Sequence, residues 1–324
     1  MLRLSTTVRK DGPAVLAALV CAVALVLPGR GGADVPLYQT VVPVQGTSEA
    51  DRTAAFGEAL RAVAVRATGR REAAANSAVA AAAADPSNYV QQYGTTADRM
   101  LKVGFDGRAM EQLLMRAGLP LWPAERPATL VVLEGEGLPQ RTEIERTAQL
   151  RGVPINWPAA GIDVARTRAQ AISGDARAAA EAGGGGQAVL VGSDSGSGLQ
   201  WVFAHAGTAA QVRGALEDGV HLAADTLAAR YAPPSTRSFS TLVVRIGGLG
   251  DVKAYAGLLE YLKSLSFVRT VAVEELAGDT VRLALTLRGD LELLRRIAAL
   301  DTHLLPVASP DDGAAARSDF TYQP

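Results

Sequence analysis

Between Leu37 and Gly69 the spacing of the hydrophobic residues changes from every second position to every third or fourth. The alternation over residues 37–44 predicts a β-strand, which Gly46 ends with a turn. Ser48 precedes Asp51 by three positions, a spacing typical of a capping box at the start of a helix. The hydrophobic stripe of that helix consists of Phe56, Leu60, Val63, Ala64 and Ala67. Gly69 suits the left-handed end of a helix, so we expect this helix to lie on a sheet.

The residues that follow complete a β-α-β-β-α order. The alanine-rich segment 73–84 is expected to be helical, and strands are expected over residues 89–93 and 100–106. Asp106 can cap a second helix, which Gly118 and Pro120 end. We therefore expect an N-terminal α+β module over residues 34–123.

Strands alternate with helices over residues 124–232. Short apolar runs predict strands at 129–133, 153–156 and 188–191, and residues 201–206 should pair with the last of these as a hairpin. Helices are expected at 143–151, at 175–182 and along a stripe from Val212 to Leu227. This order predicts a three-layer α/β unit in the middle of the chain.

Residues 233–240 have the Pro- and Ser-rich composition of a linker, and a third module is expected over residues 241–308. Its predicted order is β-α-β-β-α-β, which is that of a ferredoxin-like unit. Residues 309–324 are expected to be a flexible tail, in which Phe320 and Tyr322 have the spacing of an edge strand. The predicted fold class is thus a multi-module α+β and α/β protein.

The first 33 residues have the features of an export signal. Three basic residues, Arg3, Arg9 and Lys10, precede an apolar run at 13–27, and small residues end at Ala33, where we expect cleavage. The run is shorter than the roughly 20 residues that cross a bilayer. We therefore expect a periplasmic protein, with an uncleaved anchor as the competing interpretation. Lipidation at Cys21 is disfavoured because Val20 precedes it.

The amino-acid composition limits the kinds of functional site that the mature chain can form. After cleavage no cysteine remains, so neither disulfides nor thiolates are available. The remaining 28 basic and 32 acidic residues give no attraction to nucleic acid or anionic lipid. No second apolar run has the length of a membrane span.

Several segments of the first module resemble a known family. They are LYQTVVPVQGTSEADR, ALRAVAVRATG, NYVQQY and VGFDGRAMEQLLMRAGLPLW, together with Arg126-Pro127. These segments resemble the opening of the domain-of-unknown-function 2066 family, and a thinner similarity continues to near residue 305. Glu134, Glu136 and the glycines at 183–186 depart from the family pattern. The resemblance implies an exported bacterial protein without an assigned activity or functional residues.

The middle module resembles, at the level of the fold only, the amino-terminal domain of the TolB translocation protein and the curli-secretion CsgG family. Both are cell-envelope proteins. A shared fold does not imply a shared function, so no residue role follows from this likeness.

The glycine-rich loop 247–253 is the candidate for ligand binding. Gly248 and Gly250 follow a predicted strand and precede a helix, as in a dinucleotide fingerprint, but Lys253 stands where the third glycine is required. Asp251 would repel a phosphate at the helix start and is better explained as a helix cap. Gly248, Gly250 and Lys253 therefore remain weak candidates for cofactor binding.

No other pattern predicts catalysis or metal binding. Asp194 occupies the position that serine takes in a nucleophile elbow, and the three histidines are scattered without metal-ligand spacing, so we expect them at edges or on the surface. Trp157, Glu134 and Glu136 stand at predicted strand tips and are candidates for a binding groove. We predict no catalytic residue, no metal site and no cofactor.

These observations favour a non-enzymatic protein-binding or assembly-accessory factor of the bacterial cell envelope. We expect an envelope protein partner, bound at exposed strand edges or in an interdomain cleft. The alternative is a small-ligand or nucleotide-like binding protein, or a cryptic hydrolase. Such a protein would use the 247–253 loop or the strand tips of the middle module.

Overall fold

The computed structural model describes residues 36–96, 99–134, 137–158, 161–183, 185–194, 196, 198–234, 239–307 and 319–324. The predicted export signal, with Cys21, lies outside the described residues, and so does Glu136.

The N-terminal module places a three-stranded antiparallel sheet against helices. Its elements are β1 (Gln39–Pro43), α1 (Glu49–Thr68), a 3-10 helix (Arg71–Ala75), α2 (Ser77–Ala84), β2 (Val90–Thr95), β3 (Met100–Phe105) and α3 (Gly107–Arg116). The strand order is β1-β3-β2. Leu60 and Val63 of α1 are fully buried, which confirms the predicted stripe, and each contributes about 1.5–3 kcal/mol of burial free energy.

The predicted helix boundaries of this module are confirmed by hydrogen bonds. Ser48 accepts the Asp51 amide while the Asp51 side chain accepts the Ser48 amide, which forms the capping box. Gly69 ends α1 in the left-handed conformation, with φ of 68°. Asp106 caps α3 by accepting the Ala109 amide at 2.8 Å.

The alanine-rich segment is not one helix, contrary to the prediction. It divides at Asn76, whose extended backbone ends the 3-10 helix and whose side chain accepts the Ala78 amide to start α2. Asn competes for backbone donors in this way and is therefore favoured at helix starts over helix interiors.

The middle module is built on a five-stranded mixed sheet. Its elements are β4 (Thr129–Leu133), α4 (Leu138–Arg151), β5 (Ile155–Asn156), α5 (Val164–Ile172), α6 (Ala176–Gly183), β6 (Ala188–Asp194), β7 (Leu199–His205), β8 (Thr208–Gly214) and α7 (Leu216–Tyr231). The strand order is β5-β4-β6-β7-β8. The β4, β5 and β6 strands are parallel, and β6, β7 and β8 form the predicted hairpin with one further strand.

Helices cover both faces of this sheet, which confirms the three-layer prediction. Val131 and Leu190 belong to the core that faces α4 and α7, whereas Leu130 and Val189 belong to the core that faces α5 and α6. Because β4 is buried on both faces, its sequence is continuously apolar and not alternating.

Two elements of the middle module differ from the prediction. Val212 lies on β8, opposite Trp201, and α7 begins only after Ala215, whose amide is accepted by Asp218. Val212 has helical spacing from Leu216, but strand pairing decides its conformation. The helix α5 was not predicted; Asp163 caps it by accepting the Arg166 amide.

The C-terminal module has the predicted β-α-β-β-α-β order. Its elements are β9 (Phe239–Gly247), α8 (Val252–Ser264), β10 (Val268–Ala277), β11 (Thr280–Arg288), α9 (Leu291–Ala298) and β12 (Leu304–Pro306), followed by β13 (Phe320–Tyr322). The strand order is β10-β11-β9-β13-β12.

The last strand corrects the prediction of a flexible tail over residues 309–324. Residues 319–324 are described, and β13 lies inside the sheet between β9 and β12, not at its edge. Phe320 is fully buried and Tyr322 is 6% exposed, so this strand belongs to the core.

In the described part of the chain, no helix combines the length and the apolar character that a membrane crossing requires.

Buried arginines join the N-terminal module to the middle module. Arg126 donates to the carbonyl oxygens of Pro123, Trp122, Gly152 and Arg66, and its guanidinium lies 4.0 Å from the centre of the Trp122 ring. Arg66, in the last turn of α1, donates to the carbonyl oxygens of Pro36, Gln39 and Gln149. These acceptors include the Arg66 carbonyl in the last turn of α1 and the Gln149 carbonyl in the last turn of α4, which also accepts the Gly152 amide at 3.3 Å.

A third arginine, in the last turn of α4, also forms hydrogen bonds across this junction. Arg151 donates to the Gly69 carbonyl oxygen at 2.8 Å, to Nδ1 of His221 at 2.8 Å, and to the Asp225 carboxylate. Among the described residues, Asp225 is the only carboxylate that pairs with any of these three arginines. Arg66 and Arg126 donate to uncharged oxygens. Burial lowers the pKa of Arg66 to about 10 and that of Arg126 to about 9.

The C-terminal module is tied to both of the others. Arg288 of β11 pairs with Glu111 of α3 at 3.0 Å, and Glu111 also accepts the Tyr38 hydroxyl. Arg296 of α9 donates to the Arg230 carbonyl oxygen at 2.9 Å. These links explain why the described residues form one compact unit.

We expect Arg126→Met to lower the free energy of unfolding by about 2–5 kcal/mol, because it leaves several buried carbonyl groups without a donor. Arg126→Lys should remain destabilised, since an ammonium group lacks the planar fork that reaches these oxygens. Urea denaturation measures both effects.

Arg146→Met is the matched control, because the Arg146 side chain is 60% exposed and its one ion pair among the described residues is with Glu143. Its effect should stay within about 1 kcal/mol. Equal losses for Arg126→Met and Arg146→Met would contradict the structural role of the buried guanidinium.

Candidate functional site

The predicted glycine loop lies against the C-terminal strand. Gly248 has φ of 85°, and a Cβ atom there would lie 2.8 Å from the Tyr322 carbonyl oxygen. The Leu249 amide donates to the Asp279 carbonyl oxygen at 2.9 Å. Glycine at 248 is therefore required by the close approach of this chain's own backbone at Tyr322.

The other two loop candidates are solvent-accessible. Gly250 is exposed with no atom near its Cβ position, and Lys253 is exposed in the first turn of α8. Asp251 accepts the Ala254 amide at 2.7 Å, which confirms its role as a helix cap. A ligand role for Gly248, Gly250 and Lys253 stays a prediction.

The predicted groove residues occupy different surroundings. The Trp157 indole donates to Glu145 at 2.8 Å and lies against Arg141, so two residues of α4 hold it. Glu134 is exposed after the end of β4, where its amide donates to the Gly192 carbonyl oxygen. Since Asn156 pairs with Leu130, Glu134 lies farther along the strand direction than Trp157. Glu136 lies outside the described ranges, and the groove stays a prediction.

The histidines occupy three separate places. His205 is 4% exposed, which corrects the expectation of an edge or surface position. His221 accepts a hydrogen bond from Arg151, and the His303 ring lies between the rings of Tyr261 and Tyr322. Within the described ranges, no three His, Cys, Asp or Glu side chains gather as a metal site.

A cleft of about 800 Å³ lies between the middle and C-terminal modules. Its floor is held by Gln187, whose side chain donates to the Leu300 carbonyl oxygen and accepts the Ala128 amide. Because Gln187 connects a residue of the middle module with one that follows α9, it fixes the two walls relative to each other.

One wall of the cleft is a hydrogen-bonded pair, His205 and Tyr231. Nδ1 of His205 lies 2.8 Å from the Gln187 carbonyl oxygen, which can only accept, so Nδ1 carries the proton. Nε2 of a neutral ring then accepts the Tyr231 hydroxyl at 2.7 Å. Burial lowers the pKa of His205 and raises the pKa of Tyr231, and nearby Arg230 further lowers the pKa of His205. Both groups therefore stay neutral at pH 7.

Basic side chains gather at the mouth of this cleft. Arg177 pairs with Glu181, and Arg296 pairs with Glu292. Among the described residues, Arg230 and Arg295 have no carboxylate partner, and Nε of Arg230 is buried without an acceptor. Arg230 is also hydrogen-bonded to the Tyr231 side chain. Guanidinium groups that lack a carboxylate partner in a cleft are suited to bind a carboxylate or phosphate.

The sequence did not reveal this cleft. Its arginines come from three helices, α6, α7 and α9, that are more than one hundred residues apart at the extremes. The available signals were the Arg295-Arg296 doublet and a basic residue in the last turn of α7. Neither signal shows that these side chains converge.

Comparison with known proteins identifies one region. A family model described as "Domain of unknown function (DUF8605)" matches residues 34–123. This family differs from the one that the N-terminal segments resemble, and that resemblance stays a prediction. The match has the same bounds as the predicted N-terminal module. No curated protein and no solved structure matches the chain.

Acidification should destabilise the protein through His205 and His221. Burial lowers the pKa of both imidazoles in the folded state. The unfolded chain therefore takes up protons first, and stability is lost as the pH falls below about 6.5, by at most about 1.4 kcal/mol per pH unit for each histidine.

His205→Gln and His221→Gln should each flatten the dependence of the unfolding free energy on pH, measured in urea between about pH 7.5 and 5. The double variant should be flattest. A variant whose unfolding free energy depends on pH as steeply as that of the wild type would show that the proton is taken up by a group other than the substituted histidine.

Proposed function

We propose that this protein is a non-enzymatic protein-binding factor of the bacterial cell envelope, and that an extended segment of its partner adds to the edge strand β10. The observation that carries this proposal is the exposure of β10. This strand has ten residues and, among the described strands, pairs with β11 alone, so no described strand occupies its other edge. Extended partners recognise such edges through main-chain hydrogen bonds.

β10 is the longest edge strand among the described residues. The edge strands β8, β2 and β1 have seven, six and five residues, and β5 and β12 are shorter still. Val273 and Leu276 of β10 are 46% and 58% exposed. These side chains supply apolar contacts that would accompany added main-chain hydrogen bonds.

Irregularities of β10 restrict which strand can add to it. The pairing with β11 shifts register between Val268 and Thr270 and again between Val273 and Glu275. Glu274 pairs with Arg282 at 2.8 Å, and Glu275 is exposed. Bulges and charges on an edge oppose indiscriminate pairing, so a partner must match the short regular stretch Thr270–Val273.

The proposed location in the cell envelope and the proposed non-enzymatic role are supported by the sequence. The predicted export signal and the resemblance to exported bacterial proteins support a periplasmic location. The scattered histidines and the absence of cysteine from the mature chain support binding over chemistry.

A photoreactive amino acid at Val273 or Leu276 should crosslink one specific envelope protein in intact cells, identified by mass spectrometry. The matched control is the same group at Val252, which is 81% exposed at the start of α8. Thr270→Pro should abolish the adduct, because proline interrupts the regular part of the edge. Adducts that also form from Val252, or no adduct at β10, would contradict the proposal.

The arginines of the interdomain cleft favour a second candidate function, the binding of a small anionic ligand. Arg230 and Arg295 would bind its carboxylate or phosphate groups. Calorimetric titration with pyrophosphate and with citrate tests this candidate. Arg295→Met should abolish binding, whereas Arg177→Met should not, since the Arg177 side chain is 89% exposed and paired with Glu181. Equal binding of the anion by both variants would exclude the cleft as its binding site.

A further inference from the structure

A cavity of about 300 Å³ lies where residues of all three modules meet, apart from the cleft described above. Tyr38 and Glu111 of the N-terminal module line it together with Phe267 and Arg288 of the C-terminal module. Residues 121–124, at the boundary of the first two modules, line it as well. Small-molecule sites are common between domains and have volumes of roughly 300–1,000 Å³, so both the position and the size suit a small ligand.

Most of the side chains that line this cavity are apolar. They are Leu37, Leu121, Trp122, Pro123, Ala124, Pro233 and Phe267. Such a lining favours a ligand whose body is apolar, because its burial removes apolar surface from water on both sides.

The charged and hydroxyl groups of the lining are paired with one another. Glu111 accepts the Tyr38 hydroxyl at 3.1 Å and pairs with Arg288 at 3.0 Å. Burial raises the pKa of Tyr38, and Glu111 raises it further, so this hydroxyl keeps its proton. The Ser266 hydroxyl accepts the Ala124 amide at 2.9 Å and donates to a neighbouring carboxylate. Since a buried charge without a partner is costly, this lining favours an uncharged ligand.

One buried donor of the lining has no acceptor. Trp122 is 2% exposed, and its indole Nε1 has no hydrogen-bond partner among the described residues. The other two tryptophans are paired, since Trp157 donates to Glu145 and Trp201 donates to the Ala215 carbonyl oxygen, each at 2.8 Å. Buried polar groups are seldom left unpaired, so the Trp122 N–H is available to an acceptor that a ligand brings.

Packing on the other edge of the indole fixes the orientation of this donor. A Cβ atom on Gly69 would lie 2.6 Å from Cε3 of Trp122 and 3.2 Å from Cζ3, so that edge of the ring faces the end of α1. The Arg126 guanidinium covers the ring at 4.0 Å from its centre. Nε1 lies on the opposite edge of the indole, and the ring cannot turn to bring it to another acceptor.

We propose that this cavity binds an uncharged, mostly apolar small molecule through one oxygen atom that accepts the Trp122 N–H. A ketone, ester or ether oxygen has the required chemistry, and the apolar lining contacts the rest of the molecule. This ligand class differs from the anion considered for the interdomain cleft. The proposal is also independent of strand addition at β10, because no residue of β10 lines the cavity.

Two matched probes test the site in the full-length chain. Prodan is an uncharged naphthalene with a propanoyl group, and in its propyl analogue a methylene group replaces the ketone carbonyl. Equilibrium dialysis should show saturable binding of both probes. Trp122→Phe keeps an aromatic ring and removes the N–H, so it should weaken the binding of prodan by about three- to tenfold and leave that of the propyl analogue unchanged.

A second variant closes the cavity without changing its core. Ala124 lines the cavity and is exposed, so it lies at the mouth. Ala124→Trp should weaken the binding of both probes by about tenfold or more. Val252→Trp is the matched control, because Val252 is 81% exposed at the start of α8, and it should leave both affinities unchanged.

NMR of the indole N–H protons tests the hydrogen bond in the wild-type chain, which has three tryptophans. Prodan should move the Trp122 signal downfield and leave the Trp157 and Trp201 signals in place. This measurement decides the question if Trp122→Phe does not fold.

Absence of saturable binding of both probes would overturn the proposal, and so would binding that Ala124→Trp leaves unchanged. A folded Trp122→Phe variant that weakens both probes equally, or neither, would contradict the assigned hydrogen bond. A Trp122 signal that does not move when prodan binds would contradict it as well.

Discussion

Guanidinium groups buried at the ends of helices hold the first two modules together. The C-terminal ends of α1 and α4, with their carbonyl groups, meet at this junction, and both helix ends carry partial negative charge. Arg66, Arg126 and Arg151 donate to these and neighbouring carbonyl groups across the junction. Desolvation opposes this arrangement, as the lowered pKa values of Arg66 and Arg126 indicate. Several hydrogen bonds from each planar guanidinium group offset the free-energy cost of desolvation.

The position of the interdomain cleft follows from this junction. Arg151 connects α4 to α7 and to Gly69 of the N-terminal module, and the last turn of α7 meets α9 of the C-terminal module, where Arg296 donates to the Arg230 carbonyl oxygen. Gln187 and Arg296 then connect the two walls by hydrogen bonds to carbonyl groups. The cleft is thus bounded by elements that are themselves held in place, a condition for selective binding.

Local signals predicted most elements because their causes are local. The capping box at Ser48 and the caps at Asp106 and Asp251 involve residues three positions apart, so the sequence contains the whole interaction. The continuous apolar run at 129–133 predicted a strand for the same reason, and the structure shows that this strand is buried on both faces. The prediction that Val212 lies in a helix was wrong. Its spacing from Leu216 is helical, but Val212 pairs with Trp201 on the neighbouring strand, and this pairing decides its conformation.

The sequence by itself determined most of the helices and strands and the helix caps, since these depend on neighbours along the chain; the division into three modules stays a prediction. Only the tertiary structure decided that Gly248 makes room for Tyr322, that β13 enters the sheet, and that arginines from three helices share a cleft. Each of these contacts joins residues separated by tens of positions. Their formation depends on how whole elements pack, and no periodicity or spacing in the sequence encodes that directly.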